Sequence, residues 1–315
     1  MENLIFSLNA TVPVFLMMVL GMIFRKTGWI DEYFASKLNK FVFLVPLPVL
    51  VFKDLAETDS KSVWDIKFVL FCFFVTLICI LIASLISVLL KNRGERGEFI
   101  QASYRSSAAL LGMALIENIY GSSSMGPLMI IGSVPLYNIF AVVVLELTRE
   151  DKKRGIDASV ILSVLKGIIT NPILIGIFVG LIWSFLDIPL GKIPEKTLES
   201  IASTATPLGL MAMGASFDFK KALGNLPAAV GASFLKLIGF AALFLPVAIR
   251  MGFSGEGMVA ILIMLGSATT VSCFVMAKNM AHDGVLTSSV VMITTLMSPF
   301  TITFWLFVLR SFGII

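Results

Sequence analysis

The chain has 315 residues, of which 57% are hydrophobic and 14% charged, with a mean hydropathy of +0.97 and a formal net charge of +4. Soluble domains carry roughly 25% charged residues, so this composition excludes an ordinary soluble enzyme or binding module. The small positive balance belongs to connecting loops and gives no reason to expect a nucleic-acid partner.

Apolar runs of about 20 residues recur from end to end, each long enough to cross about 30 Å of hydrocarbon as a helix. The ten-residue alternation of a membrane barrel is absent. The expected fold is an all-α polytopic membrane protein in a lipid bilayer. Breaking the chain at its polar and Gly/Pro clusters places ten spans near 5–25, 37–56, 65–90, 99–120, 126–147, 161–186, 197–217, 225–249, 256–280 and 285–311. The first stretch, "MENLIFSLNATVPVFLMMVLGMIF", has no basic region ahead of its apolar run and reads as a span, not a cleaved leader.

Basic residues fix an expected orientation. The odd-numbered connections hold 15 lysines and arginines, among them Arg25, Lys26, Arg93, Arg96, Arg149 and Lys152. The even-numbered connections and the C-terminus hold 7, among them Lys53, Lys192 and Arg310. Cytoplasmic loops are the basic ones, so both termini are expected outside the cytoplasm.

An internal repeat organises the spans. "TVPVFLMMVLGMIF" from Thr11 and "TNPILIGIFVGLIW" from Thr170 align without a gap: Thr11 on Thr170, Pro13 on Pro172 and Gly21 on Gly180, each 159 residues apart. Pro48 falls on Pro207 at the same offset, Ser107 on Ser267 at 160, and Asn118 on Asn279 at 161. Two halves of five spans follow, 1–155 and 156–315. Five is odd, so the second half enters the membrane from the opposite side. This is the inverted repeat of secondary transporters, whose sites form at broken helices near the midplane. Pro13, Pro48, Pro172 and Pro207 read as hinge and scaffold positions.

Spans 4 and 9 would then cross at the pseudo-two-fold axis. Both gather small and hydroxylated residues at mid-span: Ser106, Ser107 and Gly112 in one, Gly266, Ser267, Thr269, Thr270 and Ser272 in the other. Lipid offers a hydroxyl no partner. Such clusters either pack helices closely or re-satisfy backbone freed by local unwinding. If the helices break there, their half-helix N-termini present unpaired N–H groups suited to a carboxylate.

Lys236 lies well inside span 8, where it needs a polar partner or a watery cavity. It reads either as a cation beside the anion site or a charge that moves with a transport domain, or as a side chain that snorkels to the cytoplasmic interface or pairs with a carboxylate. Arg105 reads as a residue near the cytoplasmic mouth of span 4, drawing anions in or anchoring the interface. His282, the only histidine, falls in the polar connection "AHDG" and is expected to be exposed. Glu117 and Asn118, matched by Lys278 and Asn279, are expected at helix ends. Cys72, Cys79 and Cys273 lack metal-ligand spacing and read as buried thiols. There is no H-E-x-x-H, no phosphate loop and no intramembrane aspartate pair, so neither a membrane enzyme nor a cofactor is expected.

At four stretches the chain resembles the auxin efflux carrier family: "KLNKFVFLVPLPVLVFKDLA" (37–56), "ASYRSSAALLGMALIENIYG" (102–121), "TATPLGLMAMGASF" (204–217) and "SATTVSCFVMAKNM" (267–280). The resemblance implies ten helices in two inverted five-helix repeats. Spans 1, 2, 6 and 7 would form a scaffold that often dimerises, and the other six a mobile transport domain moving as an elevator. The implied substrate is a small organic anion, auxin-like or a dicarboxylate such as malate or malonate, held where spans 4 and 9 cross. The family commonly has asparagine where Ser107 stands, and prolines near Ala114 and Ala268. Two other readings stay open: a sodium-coupled symporter or cation/proton antiporter of the same architecture, and a non-transporting membrane receptor.

Overall fold

The computed structural model describes residues 2–56, 65–108, 113–120, 125–149, 158–186 and 188–315. Among them the regular structure is helical. In chain order the helices are α1 (Glu2–Lys26), α2 (Glu32–Leu44), α3 (Pro46–Ala56), α4 (Ile66–Ser87), α5 (Arg93–Tyr104), α6 (Met113–Tyr120), α7 (Met125–Thr148), α8 (Ala158–Thr170) and α9 (Pro172–Leu186). Then follow α10 (Lys192–Ala202), α11 (Ala205–Ala215), α12 (Phe219–Gly224), α13 (Leu226–Phe234), α14 (Phe240–Arg250), α15 (Gly255–Gly266), α16 (Ser272–Asn279) and α17 (Val285–Ser311). A π-helical turn, Leu235–Gly239, joins α13 to α14.

Five stretches among the described residues are long and apolar enough to cross a membrane: Glu32–Ala56, Ile66–Ser87, Met125–Thr148, Leu226–Arg250 and Val285–Ser311. Large side chains such as Leu81, Phe185, Phe304 and Phe307 stand on their outer faces or those of neighbouring helices, as lipid contact requires. The buried centre is α15, whose residues Gly257 to Gly266 are covered on every side.

Side-chain caps begin several helices. Asp31 accepts from the Phe34 N–H at 2.6 Å, Asp65 from Phe68 at 3.0 Å, and Asn171 from Ile173 at 2.9 Å. Each satisfies a donor the helix itself leaves orphaned. Pro172 follows Asn171 at the first position of α9, where a missing N–H removes nothing. Pro48 and Pro207 are each the third residue of a helix, α3 and α11, that restarts after a break. Pro13 lies inside α1.

Several helix pairs approach closely at glycines, and two of these approaches form a set. α1 packs on α11 and α3 on α9. A Cβ on Gly21 would lie 2.3 Å from the Met211 carbonyl oxygen, and one on Gly180 would lie 2.8 Å from that of Phe52. Gly21 and Gly180 are 159 residues apart, and so are Phe52 and Met211. The same close approach is made twice, with the partners exchanged.

The structure corrects the expectation at two points, the first in span 4. Its helix starts at Arg93, six residues before the expected 99, because Asn92 caps it through the Gly94 N–H at 3.0 Å. Glu98 is thereby inside the protein, 2% exposed, and accepts from Gly284 N, Thr287 N and Thr287 Oγ1, each at 2.9 Å. It caps the start of α17 from a distant part of the chain. Glu98→Ala leaves buried donors unpaired and is expected to lower stability by about 2–4 kcal/mol, read from the melting temperature of purified protein. Glu98→Gln, which keeps an acceptor oxygen, should cost clearly less.

His282 is the second correction. It is 7% exposed, not a surface residue. Ala281, with φ +62°, turns the chain so that the ring lies between the carbonyl oxygens of Gly94 (3.0 Å from Nδ1) and Leu145 (2.9 Å from Nε2). It ties the ends of α5 and α7 to the loop before α17.

Candidate functional site

α15 ends at Gly266 and α16 starts at Ser272; between them Ser267 is extended (φ −79°, ψ 167°). α5 ends at Tyr104, and Arg105 is likewise extended (φ −77°, ψ 133°). Two helices therefore break in mid-course, and the extended pieces touch: the Ser107 N–H donates to the Ala268 carbonyl at 2.9 Å.

Each break is capped by the other. The Ser106 hydroxyl donates to the carbonyl of Met264, third from the end of α15. The Thr269 hydroxyl donates at 2.8 Å to the carbonyl of Ala102, third from the end of α5. The Thr269 N–H finds Thr294 Oγ1 of α17 at 3.0 Å, and Gln101 Nε2 donates to the Cys273 carbonyl at 3.0 Å. These bonds answer why hydroxyl residues gather in so apolar a chain: they take over backbone groups that the helices release.

A cavity of about 110 Å³ opens beside the crossing, with room for several waters or a small carboxylate. Ser106, Ser107, Thr269, Thr270 and Ser272 stand in its wall. Opposite them are Leu47, Val51 and Asp54 of α3, Ile173 of α9, and Ala205 and Thr206 of α11. The wall is mostly apolar with a few polar groups, most of them at the crossing and Asp54 and Thr206 facing them, as small-molecule sites commonly are.

Gly266 and Ser267 are not part of that wall. Gly266 faces the π-turn, 3.5 Å from the Leu237 carbonyl when given a Cβ. Ser267 is fully buried, and its hydroxyl finds no partner among the described residues. Gly112 and the side chains of Glu117 and Asn118 lie outside the described residues. Lys236 is fully buried behind the crossing, where its ammonium donates to Ser106 Oγ and to the carbonyls of Met264 (3.1 Å) and Leu265 (3.0 Å). Snorkelling is thereby ruled out for it: the side chain points inward.

Arg105 is the residue that sequence reasoning misplaced. It is 2% exposed and stands in the cavity wall, far from the interface role expected of a charge at a span mouth. Its guanidinium donates to Asn138 Oδ1 (2.9 Å), Ser272 Oγ (2.7 Å) and Gln101 Oε1 (3.4 Å), and touches Met276 Sδ at 2.9 Å. All four partners are neutral, and Nε has none among the described residues. Ser272 opens α16, so the guanidinium sits at the positive end of that helix dipole. A buried cation held by neutral groups is costly unless something supplies the opposite charge. The signal in the sequence was the arginine's place directly before the "SSAA" cluster; the shift of span 4 towards its N-terminus hid it.

Similar proteins bear on what such a site does. A family model described as "Membrane transport protein" matches residues 6–306. A protein of Methanothermobacter thermautotrophicus named "Uncharacterized transporter" is 21% identical over 313 residues, covering 96% of this chain and 98% of its own. One from Rhizobium meliloti named "Putative malonate transporter" is 22% identical over 278 residues, 87% of each chain. Apolar helices of membrane-crossing length and a match over nearly the whole sequence agree: this is a multi-pass membrane protein, and the chain belongs to the membrane transport protein family, the auxin efflux carriers that its sequence resembles.

Proposed function

We propose that the protein carries a small organic anion across the membrane, bound in the cavity where the two broken helices cross. The observation that carries this reading is Arg105: a buried guanidinium in the cavity wall, whose hydrogen-bond partners are all neutral, at the N-terminal end of α16. A carboxylate entering the cavity gives the guanidinium a direct ionic partner and receives a bidentate, charge-assisted pair of hydrogen bonds. Ser107 and Thr270, both only partly buried, offer hydroxyls to the same ligand. The relative named for malonate fits a dicarboxylate as first substrate to try.

The ten-span inverted repeat is the architecture this reading rests on. The reciprocal capping of α5 and α15, and the glycine contacts repeated at an offset of 159, support two halves, 1–155 and 156–315, related by a pseudo-two-fold axis. The cavity lies between α3, α9 and α11 on one side and the crossing on the other. A scaffold of spans 1, 2, 6 and 7, against which spans 3–5 and 8–10 slide, would carry an anion held there from one face to the other. A homodimer through that scaffold, and both termini outside the cytoplasm, belong to the same proposal.

The test is counterflow in liposomes. Labelled malonate should exchange saturably against unlabelled malonate, malate or an aromatic carboxylate. Ser107→Leu/Thr270→Leu, which fills the cavity, should lower the rate at least tenfold. Exchange that persists in the double variant moves the site elsewhere. Malonate-dependent stabilisation without flux makes the protein a receptor.

A further inference from the structure

The buried ammonium of Lys236 plays no part in the cavity wall, yet its surroundings are specific. It reaches the end of α15 from the π-turn Leu235–Gly239. A single-turn widening of this kind re-aims side chains and recurs at functional sites. Three oxygens accept its hydrogen bonds: Ser106 Oγ, the Met264 carbonyl and the Leu265 carbonyl. Ser106 donates its own hydrogen to Met264, so only lone pairs of its oxygen face the ammonium. The two carbonyls are orphans of the α15 C-terminus and carry the negative end of its dipole. None of these partners is a carboxylate. The other groups around it are Thr76, Cys79, Tyr104 and Tyr137, and the remaining void holds about 10 Å³, one water at most.

Uncharged oxygens converging from a serine and from half-helix carbonyls form the kind of cage in which broken-helix carriers hold a coupling sodium ion. Here a lysine fills it. We infer that Lys236 is a tethered substitute for a coupling cation: its ammonium occupies an alkali-cation seat permanently, so the carrier runs without a co-transported cation, and removing the side chain uncovers a sodium site.

The transport half of this inference rests on the anion-carrier reading; the binding half does not. The probes are sodium, lithium, potassium and choline chloride at one ionic strength, applied to the wild type, Lys236→Ala and Lys236→Met. Melting of the purified protein reads cation binding, and malonate counterflow reads coupling. The wild type should respond alike to all four salts. Lys236→Ala should melt several degrees higher in sodium than in choline, with a saturable dependence, and should exchange at least tenfold faster in sodium. Lys236→Met, which fills the space without a charge, should respond to none.

A Lys236→Ala protein that folds but is indifferent to every alkali cation overturns the inference, as does a wild type with its own saturable sodium stabilisation. Recovery of Lys236→Ala only from sodium-containing buffer supports it. Failure to recover either Lys236→Ala or the polar Lys236→Ser in any salt overturns it. If no anion is moved by any variant, the carrier reading fails, while the melting series still decides the seat.

Discussion

Arg105→Gln should abolish malonate counterflow while leaving the protein folded. In the wild type the guanidinium already stands at the cavity with only neutral partners, Asn138, Ser272 and Gln101, and its Nε unused among the described residues. Removing one member of a buried charge pair costs about 2–5 kcal/mol, so apparent affinity should fall by about thirtyfold or more. Arg105→Lys keeps the charge but loses the planar fork, and an intermediate loss is expected. The melting temperature separates binding from structure. Without anion, Arg105→Gln removes an uncompensated buried charge and should melt no lower than the wild type. Malonate should raise the melting temperature of the wild type and not that of the variant. An Arg105→Gln protein that melts much lower without anion would make the arginine a structural residue. One that still exchanges malonate at the wild-type rate would remove it from the site.

The second large effect is expected at the close helix pairs. Gly214→Ala sets a Cβ 2.0 Å from the Met18 carbonyl oxygen, and Gly21→Ala sets one 2.3 Å from that of Met211. Both obstacles are backbone, so α1 and α11 have to separate along much of their contact. Overpacking of this sort costs typically about 1–3 kcal/mol, and the upper end is expected here because no side chain can swing aside. Each variant should melt clearly below the wild type. Gly231→Ala is the matched control: its Cβ would meet nothing nearer than Phe99 at 3.9 Å, and alanine is the better helix former by about 1 kcal/mol, so it should be neutral or stabilising. Equal melting of all three variants would mean that the close approach carries no strain. The pairing of Gly180 with Phe52 makes the corresponding prediction for α3 and α9: Gly180→Ala should be destabilising too, and less so than Gly214→Ala, because its Cβ stands off at 2.8 Å.

Much of the fold was legible one residue at a time. Apolar runs bounded by polar and Gly/Pro clusters located the five membrane-length helices to within a few residues, because partition into lipid depends on the composition of a segment and hardly on its neighbours. The offset of 159 was visible because prolines and glycines mark backbone geometry, and the contacts of Gly21 and Gly180 recur at that offset. The hydroxyl clusters pointed to broken helices for a similarly local reason: freed backbone groups in a membrane need partners nearby in the chain or across a contact. Lys236 stood out as a charge in need of company.

What company it keeps, only the tertiary structure decided. Its carbonyl partners lie 28 and 29 residues away and its hydroxyl partner 130, and no periodicity relates them. Glu98 meets the start of α17 across 186 residues, and His282 joins ends of two helices that its own loop never touches in sequence. Arg105 shows the limit best. Its type and position suggested an interface anchor, and a cap at Asn92, which starts the helix six residues early, put it instead inside the protein beside Ser272 of a helix 167 residues on. Burial of a segment follows from its own composition. The fate of a single charge follows from which distant groups the fold brings within 3 Å of it, and that is settled by packing alone.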